Sequence, residues 1–304
     1  MRIIVHGQQA FGKSVLEALL ERGENIIGIY CAPDKAGRPD DPLKALAVER
    51  GLPLFQPASY KKPEVWQQMR TLNADLCVMA YVLLLVPEQA LNVPTYGSIQ
   101  YHPSLLPAHR GPSSINWPII QGKTRTGLTI FWPDNGLDTG PVLLQKEVDI
   151  APDDTLGSVY FNKLFPMGVA AMLEAVDWVR EGKAPRIAQN DAEATYESWC
   201  THEDVKIDWG ESTSTVHNLI RGANPQPGAW TIGNGAELSL FDCRRGGAVD
   251  GAPGTVTAIG EDGITVATGD GSIILERVRP AGAGKMAAKE YAQRSGLAVG
   301  AALG

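Results

Sequence analysis

The run Asp75-Leu76-Cys77-Val78-Met79-Ala80 reads as a strand that is continuously apolar after its first residue, and no other stretch narrows the possible folds so far. A strand with one wet face alternates polar and apolar side chains. A strand covered on both faces has no need to, and such strands belong to parallel sheets sandwiched between helices. The amino terminus agrees. Arg2 to Gly7 is a short β-branched strand, Ser14 to Arg22 carries apolar residues at helical spacing, and Asn25 to Tyr30 supplies the next strand, which together make a βαβ unit. A helix over residues 42–50, a strand over 52–56 and a helix over 63–72, with Trp66 and Met69 inward, extend the pattern. The expected fold is an α/β, Rossmann-like open parallel sheet. The turn Gly7 to Gly12, GQQAFG, departs from GxGxxG and reads as a tight strand-to-helix turn rather than a phosphate cradle. His6 ends its strand and is expected to be packed.

Gly97 to Gly140 holds most of the candidate chemistry. A buried-looking strand, Ser98 to Tyr101, delivers His102 to its end, where the chain breaks into a loop with Pro103 and Pro107. Strand ends followed by loops are where open α/β sheets place their sites. A second strand, Leu128 to Trp132, runs into Pro133-Asp134-Asn135-Gly136, which turns the chain and presents Asp138. The stretch offers one imidazole and one carboxylate, each at a strand exit.

Beyond it, residues 142–148 read as an edge strand and residues 155–180 as one long helix started by Pro152-Asp153-Asp154-Thr155. Gly182 to Trp199, rich in Pro, Ala and acidic residues, reads as a linker. From Val205 onward a helix over 212–221 precedes short strands at 237–241, 254–259, 263–267 and 272–278, separated by glycine turns, a pattern that predicts a small β-barrel. The tail GLAVGAALG is expected to fray. The resulting division is residues 1–182, a linker over 183–204, and residues 205–304.

A chain of 304 residues with 44% hydrophobic content is long enough for two domains. A net charge of -7 provides no footprint for a nucleic-acid backbone. The four cysteines, Cys31, Cys77, Cys200 and Cys243, lack CxxC or zinc spacing, so reduced thiols and no metal are expected. The opening apolar run stops at His6-Gly7, too soon for a signal peptide or membrane span, so a cytoplasmic location is expected.

HPSLLPxHRG from His102, SxINW from Ser113 and GLDTG ending at Gly140 resemble the folate-dependent formyltransferases, among them methionyl-tRNA formyltransferase, sugar-amine formyltransferases and the hydrolase domain of 10-formyltetrahydrofolate dehydrogenase. That hydrolase domain looks nearest, because IFWxDxGLDTG, LLQKE, PDDT, LFPxG, GKAPR, ATYE and HNxIRG are all similar to its pattern. The resemblance implies 10-formyltetrahydrofolate as co-substrate, His102 and Asp138 as the catalytic pair, and an OB-like carboxy-terminal barrel. It also implies a pteridine slot formed by the loop Tyr81 to Pro87 through Leu83, Leu84 and Leu85, a run that periodicity alone would read as core.

The chemistry suits the residues. Attack on a formyl carbon builds charge on its oxygen while the nucleophile sheds a proton; His102 can donate to the oxygen, and Asp138 can orient the imidazole or the nucleophile and take up the proton. Asp134 and Asn135 are expected to shape the turn or meet the pterin edge. Ser104 could bond the loop backbone or touch substrate, the loop role being preferred. Three departures matter. Gln100 stands where transferases of the family carry Asn and the dehydrogenase's hydrolase domain an apolar residue, so its amide could hold the formyl oxygen or point away. Ala108 replaces a usual basic residue. Residues 32–42, APDKAGRPDDP, are shorter and more acidic than the tRNA-engaging insertion of methionyl-tRNA formyltransferases. The expected activity is formyl transfer to a small-molecule amine, with folate and that acceptor as partners and nucleic acid disfavoured. Hydrolysis of 10-formyltetrahydrofolate is the alternative, and folate binding without turnover a third reading.

Overall fold

The computed structural model describes residues 1–304. Strand β1 (Arg2–Gly7), helix α1 (Gln9–Glu21), β2 (Asn25–Tyr30), α2 (Pro42–Glu49), β3 (Leu54–Phe55), α3 (Pro63–Thr71), β4 (Leu76–Ala80), α4 (Glu88–Leu91) and β5 (Ser98–His102) follow one another. Then come α5 (Asn116–Ile120), β6 (Arg125–Phe131) and β7 (Val142–Asp149). The strands form one seven-stranded sheet in the order β3-β2-β1-β4-β5-β6-β7. Pairing is parallel from β3 to β5, and β6 runs antiparallel to β5. This is the open, mostly parallel sheet expected from the apolar β4, all of whose residues are buried.

Local chemistry explains the amino-terminal turns. A Cβ on Gly7 would overlap the Ala80 carbonyl oxygen, so only glycine lets β1 lie this close to the end of β4. Asp41 then serves two helices. Its carboxylate accepts from the Gln9 amide at the start of α1 (2.8 and 3.0 Å) and from the Leu43 amide of α2 (2.9 Å), satisfying donors that a helix start leaves orphaned. Pro42 occupies the first turn of α2, where its missing N–H costs nothing. On α1, Phe11, Val15, Leu16 and Leu19 face inward, the stripe that a 3.6-residue period requires.

The helical stretch after β7 is not one uninterrupted helix. It divides into α6 (Leu156–Val159), a π-helical turn over Tyr160–Leu164 and α7 (Phe165–Arg180). Pro166 lies in the first turn of α7 and has no N–H to give to an α-helical ladder. Thr155 caps the start, exchanging hydrogen bonds with Ser158 in a capping box.

The chain forms two compact units, and neither is contiguous: residues 1–111, 127–147 and 163–196 make the first, and residues 112–126, 148–162 and 197–304 the second. Residues 112–126 and 148–162 group with the carboxy-terminal residues, and 183–196 with the sheet. Within the second unit, Asn116 of α5 donates to the carbonyls of Gly222 (2.9 Å) and Gln226 (3.0 Å) at the end of helix α8 (Thr213–Gly222).

The rest of that unit comprises β8 (Ala229–Gly233), β9 (Ala236–Leu240), β10 (Cys243–Gly246), β11 (Val256–Gly260), β12 (Gly263–Ala267), β13 (Ser272–Leu275), β14 (Arg277–Pro280), β15 (Met286–Ala287) and helix α9 (Ala288–Ser295). The short strands expected of a small barrel are present as two four-stranded antiparallel sheets, β10-β13-β12-β11 and β15-β14-β9-β8. Both contribute to one core, with Leu238, Leu240 and Val278 beside Val266, Ile273 and Leu275. The tail, expected to fray, is instead packed. Leu297 and Leu303 belong to that core, and the Leu303 amide donates to the Gly254 carbonyl at 2.9 Å. Two leucines are enough to anchor an otherwise Gly- and Ala-rich end.

Candidate active site

β5 ends at His102, as the sequence indicates, and the buried imidazole is held on both sides. Its Nε2 lies 2.9 Å from the carbonyl oxygen of His109. A carbonyl only accepts, so Nε2 carries the proton. Nδ1 is left facing Asp138 Oδ2 at 3.6 Å. The same carboxylate oxygen accepts from the Gly111 amide at 2.9 Å. A three-residue main-chain segment, His109 to Gly111, therefore contacts both members of the pair, and a proton placed at Nδ1 has a carboxylate within reach.

Both holding points are conformationally unusual. Asp138 and His109 each have φ 57° and Tyr81, at the exit of β4, has φ 65°. Non-glycine residues in the left-handed region cost on the order of 1–3 kcal/mol each and persist where surrounding bonds over-determine them. The Asp138 turn shows how. Asp134 Oδ1 accepts from the Gly136 amide (2.9 Å) and the Thr139 hydroxyl (2.6 Å). A Cβ on Gly140 would overlap the Trp132 carbonyl oxygen, so the turn closes against β6 only with glycine there. Asn135 Oδ1 accepts from the Glu88 amide at 3.1 Å, tying the turn to the first residue of α4. Asp134 and Asn135 thus shape the turn.

Ser104 is fully buried, and its hydroxyl donates to the Ala108 carbonyl at 2.7 Å. Thr129, opposite His102 in register on β6, donates to the Ser104 carbonyl (2.7 Å) and accepts from the Leu106 amide (3.1 Å). Ser104 is a staple of the loop, the role preferred from its sequence. Gln100 sits two residues before His102, on the same face of β5, half-buried and with no side-chain hydrogen bond to protein. Its amide is available. In the loop after β4, Leu83 and Leu85 are 56% and 62% exposed beside Tyr81 at 40%, whereas Leu84 packs half-buried against a core cluster with Met79 and Val86. Solvent-facing leucines on a loop that follows a buried strand form an apolar lip; Leu84 belongs to its support.

Sequence reasoning missed the strap behind the pair. Arg110, 1% exposed, directs Nε (3.1 Å) and Nη2 (2.8 Å) to Gln189 Oε1, and Gln189 Nε2 donates to the carbonyls of Asp138 (2.8 Å) and Gly140 (2.7 Å). Thr195 reinforces this contact, since its hydroxyl accepts from the His109 amide at 2.8 Å and its carbonyl from the Arg110 amide at 3.0 Å. The signals available were the Arg of HRG and the ATYE motif.

Other candidates fall outside the site. His6 is packed against Tyr30 and Tyr60, and burial pushes its imidazole down to about 3. The cysteines are free, and burial pushes Cys31 and Cys77 up to about 11 and about 12, which makes them poor thiolates. No group of His, Cys, Asp and Glu could hold a metal ion, and no helix is long and apolar enough to cross a membrane. A cavity of about 410 Å³, bordered by Asn92, Tyr96, Trp132 and Arg186, contains neither His102 nor Asp138.

Comparison with known proteins meets this geometry. The family model described as Formyl transferase matches residues 1–176, and that of the Formyl transferase C-terminal domain matches residues 200–296. The chain is 40% identical over 277 residues to cytosolic 10-formyltetrahydrofolate dehydrogenase of Xenopus laevis, covering 88% of this chain and 31% of that protein. It thus spans about a third of the length of that relative. It is 38% identical over 307 residues to methionyl-tRNA formyltransferase of Trichlorobacter lovleyi, covering 99% and 96% of the two chains. Among solved structures, HypX from Aquifex aeolicus in complex with tetrahydrofolic acid aligns with a TM-score of 0.71 at 19% identity, over 98% of this chain and 48% of that one, a likeness of fold.

Proposed function

The chain belongs to the formyl transferase family, and we propose that it transfers the formyl group of 10-formyltetrahydrofolate to the amine of a small molecule. The observation that carries this reading is the His102–Asp138 pair, held by main-chain groups at the end of β5 with the unengaged Gln100 amide on the same strand face. The apolar lip of Tyr81, Leu83 and Leu85 offers a flat pteridine a surface to lie on.

In the proposed reaction the acceptor nitrogen attacks the formyl carbon, a C–N bond forms, and the carbonyl electrons move onto oxygen. In its imidazolium form, with Nε2–H on the His109 carbonyl and a second proton on Nδ1, His102 donates to that oxygen beside the Gln100 amide, and such donors act on charge that exists only in the transition state. Asp138 takes the proton lost by the attacking nitrogen and holds the imidazole in place. Collapse of the tetrahedral species re-forms the carbonyl and breaks the bond to N10, which takes the proton held by Asp138 and leaves as the neutral N–H amine of tetrahydrofolate. No step calls for a metal.

The short loop between β2 and α2 supports a small acceptor. The loop carries two basic side chains, Lys35 and Arg38, against Asp34, Asp40 and Asp41, and Lys44 at the start of α2 is engaged by Asp34 (2.6 Å) and Asp40 (2.7 Å), a poor match to a nucleic-acid backbone, whose binding rests on clustered Lys and Arg contacts. A second reading, hydrolysis with water as acceptor, is favoured by the 40% identity to the dehydrogenase. The test is consumption of 10-formyltetrahydrofolate with formate and formylated product both quantified, with and without a panel of amine metabolites. Turnover that rises with one amine, without a matching rise in formate, supports transfer; formate equal to folate consumed under every condition supports hydrolysis, and no consumption overturns both.

A further inference from the structure

We propose that Gln189, gripped by buried Arg110, is a positioning residue for Asp138; the inference rests on the formyl-transfer reading only for what Asp138 then does. Gln189 uses its whole hydrogen-bonding capacity on this task. One N–H goes to the Asp138 carbonyl and the other to the Gly140 carbonyl, at 2.8 and 2.7 Å, while Oε1 takes two bonds from the Arg110 fork at 3.1 and 2.8 Å. One bridged carbonyl belongs to the left-handed residue that carries the carboxylate, and the other lies two residues further along the same turn. Together with the Asp134 bonds to Gly136 and Thr139, this bridge opposes relaxation of Asp138 to an ordinary φ, a change that would rotate its side chain away from His102.

Arg110 is fixed in turn. Its Nη2 reaches Asp191 at 2.8 Å, Nη1 donates to the Tyr196 hydroxyl, and the guanidinium lies 5.1 Å from the Tyr196 ring centroid. Its own main chain separates the carbonyl that holds His102 from the amide that holds Asp138. A single buried arginine thus links the imidazole, the carboxylate and the turn that presents the carboxylate. A fork geometry is required, because lysine cannot give two parallel bonds to one amide oxygen.

The test compares Gln189→Leu and Gln189→Glu with the unaltered chain, reading kcat, KM, folate affinity and the ¹⁵N shifts of the His102 imidazole. Gln189→Leu removes all four bonds; Gln189→Glu keeps the size and the Arg110 pairing but sets an acceptor against two carbonyls. Both variants should lose kcat by roughly 10–100-fold, the scale of a misplacement of about 1 Å, with folate affinity within about two-fold of the unaltered chain and with displaced His102 shifts. If Gln189→Leu fails to fold, Gln189→Glu decides. Unchanged kcat and unchanged imidazole shifts overturn the proposal, as does a loss confined to KM. If the unaltered chain shows no turnover, the formyl-transfer reading fails, and the imidazole shifts alone decide the positioning role.

Discussion

His6 and His102 end two parallel-running strands of the same sheet, β1 and β5, and they have opposite surroundings. Around His6 stand the rings of Tyr60 and Tyr30, with centroids 4.6 and 6.4 Å away, and burial drives its imidazole down to about 3. Around His102 stand a carbonyl and a carboxylate, each placed on a different nitrogen. Position at a strand exit therefore does not make a histidine useful. Its surroundings do, because the loop after β5 turns a main-chain carbonyl, and the turn after β6 a carboxylate, onto the ring of His102. The loop after β1 goes straight into α1.

If that contrast is right, substituting the two histidines should separate activity from stability. His102→Gln is expected to have the largest effect, a loss of turnover of ~10²–10⁴-fold, the range for a positioned acid or base, with thermal unfolding little changed. Steady-state kinetics beside a melting curve checks this. Turnover within ten-fold of the unaltered chain would place the chemistry elsewhere.

Gln100 sharpens the comparison on the substrate side. Gln100→Leu should cost ~100-fold, about 3 kcal/mol, as expected for an oxyanion donor, and Gln100→Asn should raise amine transfer relative to formate release. Kinetics unchanged in both variants would leave the oxyanion to His102 alone and move the preference to hydrolysis.

His6 should show its effect in acid. The unfolded chain protonates this ring below its usual 6.5, the folded chain only near 3, so over that window the unfolded state binds more protons and stability falls as pH drops. Its contribution is fully present above 6.5 and is lost progressively down to 3. His217 adds the same sign over a narrower window, since burial and then nearby Arg221 and Arg245 push it to about 4. His6→Phe should flatten the acid slope of unfolding free energy by at most about 1.4 kcal/mol per pH unit, leaving turnover within a few-fold. Urea unfolding across the window reads the slope; an unaltered slope would show that His6 is not the buried neutral ring described.

Much of this contrast was legible in the sequence. The apolar β4 announced a sheet covered on both faces, and the prolines after His102 and the PDNG turn before Asp138 announced ordered loops at strand exits. What could not be read is set by tertiary bonds. Gln189 lies in a stretch whose composition suits a linker, and nothing in its neighbours says that its amide bridges two carbonyls and an arginine. Segment 112–126 sits between two strands of the sheet yet folds with the second unit, a choice made by Asn116 and the carbonyls it meets at the end of α8. For Ser104 the preferred loop role is the one its bond to the Ala108 carbonyl shows.

The central claim is that Asp138, held in a left-handed turn beside His102, takes the proton of the attacking group. Asp138→Asn keeps the shape of the side chain, and its amide oxygen can still accept from the Gly111 amide, but it cannot act as a base. The measurement is single-turnover decay of enzyme-bound 10-formyltetrahydrofolate in this variant alongside folate affinity. The account predicts a rate lowered ~100-fold or more, with affinity nearly unchanged. A variant that keeps more than about a tenth of the rate contradicts it.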